Sequence, residues 1–224
     1  MNLVDVTAFL FDFDGVIADT ENGRYDEYRI ILAEYGYDLP SRCLVEDLVG
    51  LTGDGFIGKF FPEIPSEQAK EIVRRRQTYY LEHLDRFCRP FPGMRQTVRD
   101  IKEQGYFLAL TTANPLASAQ QLVRVVGVAE YFDVICGREI CENPLTKVKD
   151  YSRVPQHIHK TIGECVVIED SPVGVAGAKR SGFRCIAFEH FKDQFSGGAA
   201  DCIIHDYNDL RAIVGLPSIH LNGI

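Results

Sequence analysis

The chain has 224 residues, 46% of them hydrophobic and 25% charged, which suits a globular protein of one or two domains. Lys and Arg number 24 against 32 Asp and Glu, a net charge of −8 that argues against nucleic acid as the main partner. No apolar stretch approaches the roughly 18 residues that a membrane span needs, and the start "MNLVDVTAFLFDFDG" has neither a basic segment nor a small-residue cleavage site. Seven cysteines without a CxxC pair read as reduced thiols, so the expected setting is the cytoplasm.

In chain order, the first element is "TAFLFD" (Thr7–Asp12), apolar on both faces like a strand buried in a parallel sheet. From about Asp19 to Cys88 no strand candidate occurs. "ENGRYDEYRIILAEYG", "SRCLVEDLVG" and "SEQAKEIVRRRQTYYLEHL" read as helices, with ends marked by Gly36, Gly50 and Pro62/Pro65. After "RPFPGM" the rhythm changes. "YFLALTT" (Tyr106–Thr112), "FDVICG" (Phe132–Gly137), "CVVIED" (Cys165–Asp170), "RCIAF" (Arg184–Phe188) and "DCIIHD" (Asp201–Asp206) read as strands. Helical patterns such as "MRQTVRDIKEQG", "LASAQQLVRVVG" and "GVAGAKRSG" lie among them, each ending at a glycine. The expected architecture is α/β: a doubly wound parallel sheet over residues 1–17 and 91–224, with a small all-helical domain over 18–90 inserted after the first strand.

Ligands of doubly wound sheets bind beyond the carboxyl ends of the strands. There the sequence places Asp12 and Asp14, then Thr111, Thr112 and Asn114, then Glu169 and Asp170. Carboxylates converging on one crevice require a cation, and an all-oxygen donor set suits Mg²⁺, which commonly recruits phosphate. A phosphate dianion also calls for a lysine, and "NPLTKVKDY" offers Lys147 and Lys149. Such a set can transfer a phosphoryl group: one Asp attacks phosphorus, the other exchanges protons with leaving group and water, and cations neutralise the oxygens. Side chains alternate along a strand, so one threonine of the pair should face the crevice. The offset to Asn114 selects Thr112.

These residues resemble motifs of the haloacid dehalogenase superfamily, in that family's order and across nearly the whole chain. "DFDGVI" (Asp12–Ile17) is similar to the first motif of its phosphatase and mutase branch, "LALTTAN" to the second, and "VVIEDSPVGVAGAKRSG" (Val166–Gly182) to the fourth of the β-phosphoglucomutase and phosphoglycolate-phosphatase-like subgroup. The third motif departs from that subgroup: Lys147-Val148-Lys149-Asp150-Tyr151 lacks its usual prolines. The resemblance implies Asp12 as nucleophile and Asp14 as acid/base, with Thr112 and Lys147 completing the catalytic set. It implies Mg²⁺ held by Asp12, Asp14 (through its carbonyl), Glu169 and Asp170. It also implies a substrate lined by Gly15, Ala113 and Asn114 and, from the helical cap, Glu21, Arg24 and Arg76, with "GLTGDG" (Gly50–Gly55) as a flexible cap loop.

The activity so implied is that of a phosphoric monoester hydrolase acting on a small phosphorylated metabolite, a sugar phosphate or phosphoglycolate-like compound, through an aspartyl phosphate, in a chain that is monomeric by default. A phosphosugar mutase is the nearest alternative, and a phospho-acceptor or ligand-binding regulatory protein the alternative of another class. His157-Ile158-His159 is not expected to bind metal, since i and i+2 diverge on a helix, and neither Ser171 nor the cysteines have a triad partner in view.

Overall fold

The computed structural model describes residues 1, 3–48, 51–142, 149–196 and 198–221. They divide into two compact units, residues 1–18 with 90–224 and residues 19–89.

Strand β1 (Ala8–Phe11) is wholly buried and opens the first unit. The chain then enters the helical unit: α1 (Glu21–Glu34), α2 (Gly53–Phe60), α3 (Ser66–Glu82) and the single turn α4 (Leu84–Phe87). Its core is aromatic and aliphatic. Tyr28 stacks on Phe56 at 4.0 Å, with Ile31, Leu32, Phe60 and Ile72 around them. Helix α1 stops where Gly36, at φ +80°, lets the amide of Tyr37 return to the carbonyl of Leu32.

One segment here differs from the sequence reading. "SRCLVEDLVG" forms only a 3₁₀ turn, Val45–Leu48, among its described residues, and the helix begins instead inside "GLTGDG". Thr52 caps it by accepting from the Gly55 amide, and Phe56, Ile57 and Phe60 bury one face of a helix that holds three glycines. Burial of that face outweighs the roughly 1 kcal/mol by which each glycine disfavours helix.

The α/β unit resumes with α5 (Met94–Glu103), β2 (Phe107–Thr111), α6 (Leu116–Val125), β3 (Val134–Cys136), α7 (Arg138–Cys141) and α8 (Val154–Ile158). It ends with β4 (Cys165–Glu169), α9 (Pro172–Arg180), β5 (Arg184–Phe188), β6 (Cys202–Ile204) and α10 (Tyr207–Ile213). The six strands form one parallel sheet in the order β3-β2-β1-β4-β5-β6. This is the α/β sheet with flanking helices that the sequence predicts. Alternation sorts β1 to its two faces: Ala8 and Leu10 join Val154, Ile158, Val175 and Ala178 of α8 and α9, whereas the rings of Phe9 and Phe11 meet Tyr106 and Phe132.

Strand order and register position the site. The chain builds outward from β1 to β3, then returns to lay β4 on the other flank of β1, so the switch point lies at β1. Phe11 is level with Leu110 of β2 and Ile168 of β4. The next residues, Asp12, Thr111 and Glu169, therefore stand side by side at the carboxyl edge.

Candidate active site

Asp12 leaves β1 with its amide bonded to the carbonyl of Ile168, and its Oδ1 accepts from the Phe13 amide at 2.7 Å. Beyond it the chain turns tightly: the carbonyl of Phe13 receives the amides of Ile17 and Ala18, and the Gly15 amide donates to Ala18. Gly15 sits at φ +66°, and a Cβ there would lie 1.9 Å from Oδ2 of Asp170. Glycine thus allows both the turn and the close approach of Asp170.

On β4, Glu169 is fully buried and richly bonded. Its Oε1 takes the Tyr151 hydroxyl at 2.9 Å and lies 2.5 Å from Lys149 Nζ; its Oε2 accepts from the Ser171 amide and hydroxyl at 3.0 and 3.1 Å. Ser171 in turn caps α9 through the Gly174 amide. A Cβ on Gly174 would fall within 2.0–2.3 Å of the Glu169 carboxylate, so this glycine makes room for the acid.

Lys149 Nζ also stands 2.5 Å from Asp12 Oδ2, bridging two strand ends. One ammonium thus faces two buried carboxylates. Burial lifts the Asp12 carboxyl well above its ordinary value, Glu169 and Asp14 add to the rise, and Lys149 opposes it. Burial acts on Glu169 in the same sense, but Lys149, Ser171 and Tyr151 bring it below the ordinary value. For Lys149, burial is outweighed by Asp12 and Glu169, and its proton is held more firmly than in a free lysine. Lys149 thus serves both carboxylates at the same 2.5 Å, one positive charge against two acids.

Carboxylate oxygens of Asp12, Glu169 and Asp170 lie within 4.8 Å of one another, a hard-oxygen cluster that fits a small divalent cation. Asn114 joins the second threonine to the second aspartate: its Nδ2 donates to Asp14 Oδ2 at 2.8 Å and to Thr112 Oγ1 at 3.0 Å, and its own amide also reaches Thr112 Oγ1. Thr111 instead turns its hydroxyl to the carbonyl of Phe11, at 3.2 Å.

The structure therefore brings together Asp12, Asp14, Gly15, Thr112, Asn114, Glu169 and Asp170 in the α/β unit. Ala113 follows Thr112 beyond β2 and is exposed. Lys147 lies outside the described residues, and Lys149 is the lysine seen at the acids. Glu21, Arg24 and Arg76 lie in the helical unit. Arg24 Nε is 3.4 Å from Glu21 and its guanidinium also donates to the carbonyl of Leu48. Arg76 Nη1 meets the buried Glu27 at 2.5 Å and the guanidinium lies over the Tyr28 ring.

Sequence reasoning missed Tyr151, whose only signal is its place two residues after Lys149. It also missed His190 and Gln194, which bond to backbone beside the acids and belong to no run of acids or hydroxyls.

A parallel sheet whose switch point gathers carboxylates, a threonine, an asparagine and a lysine defines a class, the α/β hydrolytic enzymes built on strand-end aspartates. Within it the chain belongs to the haloacid dehalogenase-like hydrolase family, which matches residues 9–188. It is 23% identical to the pyrophosphatase PpaX of Halalkalibacterium halodurans, over 95% of this chain and 99% of that one. It is 24% identical to the phosphorylated carbohydrates phosphatase of Thermotoga maritima, over 96% of this chain and 93% of that one. A solved haloacid dehalogenase-like hydrolase from Streptococcus pneumoniae superposes with a TM-score of 0.81 at 20% identity, covering 94% of this chain and 99% of that one. None of the described helices is long and apolar enough to cross a membrane.

Proposed function

We propose that the protein is a Mg²⁺-dependent phosphatase of a small phosphorylated metabolite, a sugar phosphate or similar compound, working through a phosphoryl group carried on Asp12. The observation that carries this reading is a cluster of three buried carboxylates, Asp12, Glu169 and Asp170, with Lys149 Nζ at 2.5 Å from the first two. The name of the Thermotoga relative supports a phosphorylated carbohydrate as substrate class. Seven free thiols support a cytoplasmic setting.

Asp12 and Asp170 would hold the cation together with the carbonyl of Asp14, and Glu169, whose oxygens already accept from Tyr151 and Ser171, backs them and anchors Lys149. Mg²⁺ there would neutralise phosphate oxygens and let the anion approach two aspartates. Asp12 Oδ attacks phosphorus, and the bond from phosphorus to the ester oxygen breaks. Asp14 gives its proton to that oxygen, releasing an alcohol. Asp14, now a carboxylate, takes a proton from water. The water oxygen bonds to phosphorus, the bond to Asp12 breaks, and inorganic phosphate leaves. Thr112 and the backbone amides beyond β2 hold the phosphoryl oxygens during both steps, and Asn114 keeps Asp14 aligned through its 2.8 Å bond.

Phosphate release from a panel of sugar phosphates, phosphoglycolate and nucleotides tests the reading, with Mg²⁺ or with EDTA. Release that needs Mg²⁺ and falls about 10,000-fold in Asp12→Asn is expected. Equal release by Asp12→Asn would overturn the assignment of the nucleophile.

A further inference from the structure

The segment after β5 makes two contacts that the chemistry above does not use. His190 Nε2 lies 2.5 Å from the carbonyl of Gly15, and because a carbonyl only accepts, Nε2 carries the proton. Its ring stacks against Phe91 at 4.9 Å and 7° and against Phe188 at 4.7 Å and 28°, which holds the donor in one direction. Four residues on, Gln194 donates from Nε2 to the carbonyl of Asp170 at 2.6 Å, while its Oε1 receives the amides of His190 and Phe191 at 3.0 and 3.3 Å. The left-handed backbone of Asp193, φ 63°, brings Gln194 back over the turn. One short segment thus grips the backbone of both acid-bearing loops, and these two loops already touch, since the carboxylate of Asp170 occupies the space that a Cβ of Gly15 would fill.

We propose that His190 and Gln194 are positioning residues of the acid site: His190 fixes the Gly15 turn, and with it Asp14, while Gln194 fixes Asp170. The proposal rests on the reading of this site as a cation-dependent phosphatase. Neither side chain touches the reacting atoms in this scheme. Both act through peptide groups adjacent to, or part of, the residues that do. A slack Gly15 turn would misplace the proton donor after substrate has bound, which lowers kcat and leaves KM. A slack Asp170 would loosen the cation.

Three variants separate these effects: His190→Ala, His190→Gln, which keeps a neutral N–H donor near the position of Nε2, and Gln194→Glu, which keeps shape and loses the donor to Asp170. With p-nitrophenyl phosphate as probe, His190→Ala should lose about tenfold in kcat with KM within about twofold, and His190→Gln should recover most of it. In calorimetric titration with Mg²⁺ alone, Gln194→Glu should bind about tenfold more weakly than wild type. Wild-type kcat in His190→Ala together with wild-type Mg²⁺ affinity in Gln194→Glu would overturn the proposal. So would a loss shared equally by His190→Ala and His190→Gln and matched by a fall in melting temperature, since that marks general destabilisation. A wild type that releases no phosphate, or an Asp12→Asn variant as active as wild type, overturns the phosphatase reading instead, and the Mg²⁺ titration still decides whether the clasp positions Asp170.

Discussion

The α/β unit and the helical unit both bury charge, and they balance it differently. In the helical unit Arg76, on α3, meets the buried carboxylate of Glu27, on α1. In the α/β unit one ammonium, Lys149, is set between two carboxylates at the ends of two strands. A guanidinium set on a buried carboxylate is what a fold needs to tolerate that charge. Beside that shared ammonium, burial holds the Asp12 carboxyl well above its ordinary value, and a perturbed acid at the strand ends is a mark of a site. The backbone differs as well: strand register sets Asp12 beside Glu169, whereas Glu27 and Arg76 project from two helices.

Removing each cation in turn sharpens the contrast. Lys149→Met should lower kcat about 100- to 1,000-fold, measured by steady-state phosphate release, because it deletes the group that neutralises the nucleophile and its phosphate. A loss under about tenfold would place the needed lysine elsewhere, with Lys147 the next to test. Arg76→Met should instead act on stability, costing about 3 kcal/mol in denaturant unfolding because it takes the cation from a buried carboxylate. If Arg76→Met raised KM strongly and left stability intact, Arg76 and Glu27 would be part of the substrate site.

Proton linkage supplies a third comparison. A carboxyl held above its ordinary 3.8, as Asp12 is, binds its proton more tightly folded than unfolded. Its contribution to stability is present at low pH and lost as pH rises through its folded value. Glu169 behaves oppositely: its contribution is present above the ordinary 4.5 and lost as pH falls through its lowered folded value. Mg²⁺ competes with the proton of Asp12, so the stabilisation by Mg²⁺, followed as a rise in melting temperature, should grow from acid to neutral pH and reach about 2.7 kcal/mol at a hundredfold excess over Kd. A rise independent of pH would place the ion away from Asp12.

The sheet was legible in the sequence because its strands are short apolar runs buried on both faces, and such runs have few other homes. The strand-end residues were legible for the same reason, since the end of a run locates Asp12, Thr112 and Glu169 without knowledge of the neighbours. What the sequence hid lies off the strands. Lys149 and Tyr151 sit in a segment with neither strand nor helix periodicity, so which lysine turns inward depends on tertiary packing. The helix beginning at Gly53 was hidden by glycines that usually mark loops, and only burial of Phe56, Ile57 and Phe60 accounts for it. His190 and Gln194 act through backbone carbonyls, and a carbonyl leaves no trace in the identity of the residue that owns it.

The most direct measurement asks whether phosphate ever sits on Asp12. Enzyme quenched during turnover of a good substrate and reduced with borohydride should yield homoserine at position 12 in its peptide map, because borohydride reduces an acyl phosphate and spares a free carboxylate. Continued phosphate release with unaltered aspartate at position 12, or reduction at another carboxylate, would contradict the account.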